Sequence, residues 1–231
     1  LSFNGEIYNH KKLRKQLVAK GCKFTSCTDT EVLYNGLVSS GLDYLKYLDG
    51  MWGFAFVDQN KKFFYLSRDV LGEKPLYYYI GKKELIFASE VSAILAIMED
   101  DPEWDDEAIV CSFQYRSAPP GKTLIKGINR LHGGETMTVN YKDNRISTGF
   151  YNQLNTERWK WFFDKNPSFE EVIELYEQEI YSSCRIRFPS EVGFVTTLSG
   201  GIDSTLVNIM LSKYGNQKLE AIHGVSSFVS P

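Results

Sequence analysis

Two short stretches, Trp52 to Val57 and Leu85 to Ala88, are apolar at nearly every position instead of alternating apolar with polar. A strand with one face in water alternates with a period of two, whereas a strand apolar throughout needs cover on both faces. Each stretch sits in a hairpin. Trp52 to Val57 turns through Asp58-Gln59-Asn60-Lys61-Lys62 into Phe63 to Ser67, and Leu76 to Ile80 turns about Gly81-Lys82-Lys83-Glu84 into Leu85 to Ala88. Such hairpins predict two sheets packed face to face, with helices on the outside. A third hairpin is expected where Glu135 to Asn140 and Arg145 to Phe150 flank Tyr141-Lys142-Asp143-Asn144.

Candidate outer helices lie between these runs. His10 to Lys20 carries Leu13, Leu17 and Val18 on one face and stops at Gly21. Thr28-Asp29-Thr30-Glu31 opens a second helix with Val32, Leu33 and Leu37, and Glu90 to Met98 reads as a third, short one. The first part of the chain is therefore an α+β domain, and an aromatic content of 14%, largely Tyr and Phe in the strand runs, suits its core.

A chain of 231 residues, 43% hydrophobic and 24% charged, is neither disordered nor of low complexity and can bury a sizeable core. No apolar run approaches the length of a membrane span. A net charge of −3 disfavours sequence-independent nucleic-acid binding. Cys22, Cys27, Cys111 and Cys184 lack the spacing of a metal site or a disulfide framework, and a cytoplasmic location is expected. The chain opens at Leu1 in strand-like Leu1-Ser2-Phe3, without Met, and closes at Ser230-Pro231 just past another strand-like run. Both ends read as cut, so a fragment of a longer protein, inactive by itself, is expected.

Asn152 to Ser168 has few aliphatic residues and reads as a connection between domains. Beyond it, Phe169 to Phe188 has the pattern of an amphipathic helix. Val192 to Leu198 is an apolar strand, Ser199-Gly200-Gly201-Ile202-Asp203-Ser204 a loop, Thr205 to Tyr214 a helix, and Leu219 to Val225 a second strand. Strand, glycine loop, helix and strand make one βαβ unit, the start of an α/β parallel sheet.

The loop would present unpaired N–H groups at the positive end of a helix, a site for an anion such as phosphate. Asp203 beside a phosphate is repulsive unless a cation such as Mg²⁺ bridges the two. The same residues also suit an ordinary strand-to-helix turn in which Asp203 or Ser204 caps the helix. Asn4-Gly5 is similarly double-edged. An amide side chain beside a glycine N–H forms an oxyanion hole, and the same pair forms a type I′ turn. Asp29, inside the capping pattern Thr28-x-x-Glu31, either favours a helix start or holds a substrate ammonium.

Taken in order, the motifs are more specific than any one alone. Ser-Gly-Gly-x-Asp-Ser at 199–204 is similar to the loop with which N-type ATP pyrophosphatases hold the pyrophosphate of ATP. Upstream come Asn4-Gly5-Glu6-Ile7-Tyr8-Asn9, Thr28-Asp29-Thr30-Glu31, Leu48-Asp49-Gly50-Met51-Trp52-Gly53-Phe54-Ala55 and Arg68-Asp69, then Gly72-Glu73-Lys74-Pro75-Leu76-Tyr77-Tyr78 and Phe87-Ala88-Ser89-Glu90. The series resembles the glutamine-hydrolysing asparagine synthetases of bacterial type.

The resemblance implies a class II glutamine amidotransferase domain over 1–151, an αββα sandwich of mainly antiparallel sheets. A connection over 152–168 and the start of an ATP-pyrophosphatase-type synthetase domain over 169–231 would follow. It implies that glutamine is hydrolysed, that aspartate is activated by ATP as a β-aspartyl-AMP ester, and that ammonia captures it. Asn4 and Gly5 would stabilise the oxyanion, and Glu6 and Asp29 would help hold glutamine. Leu198, Ser199, Gly200, Gly201, Asp203, Ser204 and Val225 would hold ATP, with Asp203 meeting Mg²⁺. Arg68-Asp69 would be a buried structural pair and Phe87 to Glu90 a brace. A homodimer is a family expectation; no nucleic-acid or membrane partner is expected.

The family nucleophile is an N-terminal Cys whose own amine serves as base, and Leu1 falls downstream of that position. Gly193 replaces a frequent Pro, and Thr205 a common Ser. A relative with another acceptor, a surface sugar or an antibiotic precursor, and a non-catalytic binding module are the competing expectations.

Overall fold

The structure is a computed structural model that describes residues 1–82, 84–151, 157–188, 193–214 and 219–224. Two compact units divide the chain, Leu1–Leu154 and Asn155–Pro231.

In chain order the first unit contains β1 (Ser2–Ile7), α1 (His10–Ala19), α2 (Asp29–Ser40), a 3₁₀ turn at Gly41–Tyr47, β2 (Gly50–Asp58) and β3 (Phe63–Arg68). Then come β4 (Tyr77–Ile80), β5 (Leu85–Ala88), α3 (Val91–Leu95), α4 (Asp106–Tyr115), β6 (Ile128–Arg130), β7 (Glu135–Asn140) and β8 (Arg145–Phe150). The strands form a five-stranded sheet in the order β1-β2-β3-β7-β8 and a three-stranded sheet in the order β5-β4-β6. Every pairing in both sheets is antiparallel.

Side-chain alternation explains the layering. Trp52, Phe54 and Phe56 of β2 point to one face, where they pack with Leu13 and Leu17 of α1 and Val32, Leu33 and Leu37 of α2. Ala55 points the other way and meets Leu66 and Met137 from its own sheet, and Leu76, Leu131, Tyr78, Leu85 and Phe87 from the smaller sheet's side. On the far face of the smaller sheet, Tyr79, Ile86 and Ile128 pack with Ile94 of α3 and with Ile125. The first unit is thus an αββα sandwich, and β2 is apolar throughout because both of its faces are covered. Each buried Phe or Leu contributes roughly 1.5–3 kcal/mol.

The structure departs from the sequence reading in several places. β1 does not stop before Asn4 but runs to Ile7, with Asn4 opposite Gly53 and Gly5 opposite Trp52, so Asn4-Gly5 is strand and not turn. Pairing along the whole of β2 overrides the turn preference of that dipeptide. Glu31 makes only half of a capping box: its N–H donates to the Thr28 hydroxyl, but its carboxylate turns to the N–H groups of Thr25 and Ser26, each at 2.7 Å. Arg68 and Asp69 are both buried, yet no ion pair among the described residues joins them. Arg68 donates to the carbonyls of Lys74, Leu131 and Gly72, while Asp69 accepts the N–H groups of Trp52, Leu71, Glu73 and Lys74. Backbone groups of the β3–β4 connection, joined by Leu131 for Arg68 and Trp52 for Asp69, therefore supply each charge with its partners.

The second unit contains α5 (Glu157–Phe163), α6 (Phe169–Arg187), β9 (Thr196–Thr197), α7 (Ile202–Tyr214) and β10 (Ala221–Ile222). α5 lies inside the stretch expected to be a connection. Its residues are aromatic rather than aliphatic, with Trp161, Phe162 and Phe163 in successive edge-to-face contacts and Lys165 over the Trp161 ring. α6 opens with a full capping box between Ser168 and Glu171. β9 and β10 pair in parallel, Ala221 opposite Thr196, on either side of α7. Both are shorter than the apolar runs suggested, since among the described residues each has only the other as neighbour. Met210 alone is buried among the described residues of this unit. No helix among the described residues is long and apolar enough to cross a membrane.

Candidate functional site

The open edge of β1 is the feature around which the first candidate site is built. Among the described residues β1 is an outer strand, bonded on one side to β2. Trp52, opposite Gly5, turns its carbonyl to the N–H of Asp69 and its own N–H to the Asp69 carboxylate, so both point away from β1. Gly5 and Trp52 are therefore a non-hydrogen-bonded pair, and the N–H of Gly5 faces the open edge. Ile7, two residues on, shows where that edge leads: its N–H donates to Oδ2 of Asp29 at 2.9 Å. The other carboxylate oxygen accepts the N–H of Thr30 at 2.7 Å, which holds Asp29 at the first turn of α2. Two strand residues span roughly 7 Å, so a donor N–H and a fixed carboxylate share one strand edge at about the length of an amino acid.

Side chains add to this edge. Phe3 and Ile7 belong to the core beneath the helices, so Asn4 and Glu6 point to the opposite face, where both are exposed. Asn4 Nδ2 donates to Oγ of Ser89 at 3.1 Å. Gly5 has a steric role as well. A Cβ there would lie 2.1 Å from the Met51 carbonyl oxygen and 2.8 Å from Trp52 Cα, both backbone atoms. The structure thus brings Asp29, far away in sequence, to the end of the strand edge that carries Asn4, Gly5 and Glu6. Ser89 was missed as a member of this group. It lies within Phe87-Ala88-Ser89-Glu90, and nothing in that local pattern links it to a residue 85 positions away.

Around Asp29 the chain is tied down by charge. Glu31 accepts from the Thr25 N–H, the Ser26 hydroxyl and the Ser26 N–H, and these bonds hold its pKa down from 4.5 to about 2. Arg14 stands 3.7 Å from the same carboxylate and 4.3 Å from the centre of the Phe24 ring. Tyr151, stacked on Trp52 at 6.0 Å, donates its hydroxyl to the Arg68 carbonyl at 3.0 Å. Burial pushes that phenol above its ordinary range.

The second candidate site is the loop from β9 to α7. Gly200 adopts φ +84°, a conformation that favours glycine, and no atom lies near a Cβ built on it. Ser199 Oγ accepts the Gly201 N–H at 3.4 Å and meets Ser204 Oγ at 2.9 Å, so the two hydroxyls already shape the loop. Thr205 donates to the Gly201 carbonyl at 2.8 Å, a bond that its hydroxyl makes as a Ser would. Asn208, which the sequence reading passed over, donates to the carbonyls of Ser204 and Thr197 and so fastens α7 to β9. Asp203 is exposed in the first turn of α7. Leu198 donates its N–H to Ile222, and its carbonyl is met by Nδ1 of His223 at 2.5 Å. Val225 lies outside the described residues.

No group of three or more His, Cys, Asp or Glu among the described residues could by itself hold a metal ion. A single exposed carboxylate beside this glycine loop is not a cage by itself and would fit Mg²⁺ only if phosphate oxygens supplied the rest of its coordination.

Comparison with known proteins adds the family. The chain is 34% identical over 214 residues to a Methanocaldococcus jannaschii protein assigned as a glutamine-hydrolysing asparagine synthetase, covering 90% of this chain and 39% of the relative. Asparagine synthetase [glutamine-hydrolyzing] 1 of Bacillus subtilis is 32% identical over 89% of this chain and 31% of its own length. Amidase chry2 of Gibberella zeae is 27% identical over 90% of this chain and 30% of its own. The chain therefore spans well under half the length of these relatives. The family model described as the glutamine amidotransferase domain matches residues 1–151, the αββα unit with the β1 edge, and the chain belongs to that family.

Proposed function

We propose that this chain carries part of the glutamine site and the start of the nucleotide site of an ATP-dependent, glutamine-hydrolysing synthetase whose acceptor is aspartate, and that it is inactive without the rest of that protein. The observation that carries the glutamine half is the edge of β1. Attack of the family's N-terminal Cys thiol on the glutamine amide carbon would make that carbon tetrahedral and its oxygen an oxyanion, and collapse of this intermediate would break the C–N bond and release ammonia, the nitrogen leaving with the thiol proton. The free Gly5 N–H and the Asn4 amide would donate to that oxygen, an arrangement that stabilises charge as it develops. The glutamine ammonium would meet Asp29, whose carboxylate keeps lone pairs beyond those used by Ile7 and Thr30. Glu6, on the same face as Asn4, would border the amino-acid end.

The synthetase half rests on the loop after β9. Leu198 would touch the nucleotide, while the backbone from Ser199 to Ser204, with Gly200 and Gly201 admitting close approach, would wrap the pyrophosphate of ATP. Asp203 would hold Mg²⁺, which when bound would supply positive charge beside the pyrophosphate. Aspartate's β-carboxylate would attack the α-phosphorus of ATP, giving β-aspartyl-AMP with pyrophosphate as the leaving group. Val225 would border the adenosine. Similarity to synthetases of that name supports aspartate as acceptor.

The test is Asn4→Ala in the full-length gene product. Glutamine-dependent kcat is expected to fall by about 10²–10³, with ammonia-dependent asparagine formation retained. Equal loss of both activities would make Asn4 structural. A second reading, the same glutamine chemistry with another acceptor, is supported by the likeness to the amidase. Ammonia-dependent turnover without aspartate would favour it.

A further inference from the structure

We infer that Ser89 is a positioning residue for the glutaminase step, acting through the side chain of Asn4. The inference rests on the proposed role of Asn4 as an oxyanion donor.

A side-chain amide is a useful oxyanion donor only if its rotation is stopped, because a free Asn side chain turns its N–H away as readily as toward the reacting oxygen. β1 by itself offers Asn4 no such stop, since its side chain is exposed. The stop comes from the smaller sheet: Asn4 Nδ2 donates one N–H to Ser89 Oγ at 3.1 Å. The second N–H on the same nitrogen remains for the substrate oxygen.

Ser89 is well placed to be a fixed point. The residue before it, Ala88, closes β5 in register with Tyr77 of β4. Two residues after it α3 begins, anchored by the fully buried Ile94. Ser89 is therefore clamped between a paired strand and a packed helix, and its bond to Asn4 joins the two sheets of the sandwich beside the β1 edge. Ser89 touches no reacting atom. Its contribution is to hold the amide where the charge will develop, a cost met before the reaction and not during it.

The test uses four variants of the full-length gene product, assayed for glutamine hydrolysis: Ser89→Ala, Ser89→Thr, Asn4→Ala and the Asn4→Ala/Ser89→Ala pair. Losing one anchoring hydrogen bond is expected to lower kcat about tenfold in Ser89→Ala, with KM for glutamine unchanged. Ser89→Thr keeps the hydroxyl and is expected to restore most of the rate. In the pair, removing Ser89 is expected to cost nothing beyond Asn4→Ala, because there is no amide left to position. A KM effect, a full additional loss in the pair, or Ser89→Ala turning over like the parent would each overturn the inference. Should Ser89→Ala fail to fold, Ser89→Cys preserves the size while weakening the acceptor, and the same kcat-only loss is required of it. If Asn4→Ala itself leaves kcat intact, the oxyanion reading of Asn4 fails instead, which separates the two failures.

Discussion

Asp29 holds Ile7: the carboxylate at the first turn of α2 accepts the last outward N–H of β1 at 2.9 Å. One contact thereby fastens a helix start to a strand edge and leaves a negative charge two residues along that edge from the outward N–H of Gly5. Asp29→Asn keeps a carbonyl acceptor for Ile7 but removes the charge. Charge-assisted hydrogen bonds contribute about 1.5–3 kcal/mol, so KM for glutamine is expected to rise roughly 10- to 100-fold with little change in kcat. Steady-state kinetics of the full-length gene product checks this. A lowered melting temperature with unchanged KM would reduce Asp29 to a structural tie.

Gly5 is constrained twice, by its outward N–H and by the space it lacks. A methyl group at this position meets backbone atoms of Met51 and Trp52, which cannot rotate aside as a side chain would. Gly5→Ala must force β1 and β2 apart. Overpacking of this kind costs about 1–3 kcal/mol, and a loss at the upper end is expected in urea denaturation. A variant as stable as the parent would mean that the strands separate easily here.

Acid offers a separate test of the loop that leads into α2. Glu31 titrates near 2 instead of 4.5, chiefly because the Thr25 N–H donates to its ionised form. Its folded pKa lies below its unfolded value, so the stabilisation is complete above about 4.5 and fades as pH falls toward about 2. The carboxyl carbon shift of Glu31 in an NMR titration is expected to turn over near the lower value. A midpoint near 4.5 would show that the bonds to Thr25 and Ser26 do not persist in solution.

Much of the sandwich was readable because period and burial agree there. β2 and β5 are apolar on both faces, α1 and α2 show one apolar stripe each, and the hairpins carry polar turns. α4 escaped because its apolar residues Ile109, Val110 and Phe113 form no buried stripe; among its residues only Ala108 is buried. β6 is three residues long and is recognisable only by its pairing with β4. α5, inside the expected connection, escaped because aliphatic residues guide such a reading and its residues Trp159, Trp161, Phe162 and Phe163 are aromatic.

The site followed a similar division. Asn4, Gly5 and the loop from Ser199 to Ser204 are contiguous motifs whose chemistry can be named residue by residue. Strand extension through Asn4-Gly5 could not be, since a turn and a strand compete locally and β2 decides between them. The bonds Asp29 to Ile7 and Ser89 to Asn4 are tertiary, and no spacing announces them.

The three packed clusters of the sandwich have a consequence for how it breathes. β2 lies between two of them, so it can open only by exposing both. Backbone amides of β2 and β3 should therefore exchange with solvent only through unfolding of the whole sandwich. The strand edge that would do chemistry on glutamine is thus paired to a strand that has no small opening of its own.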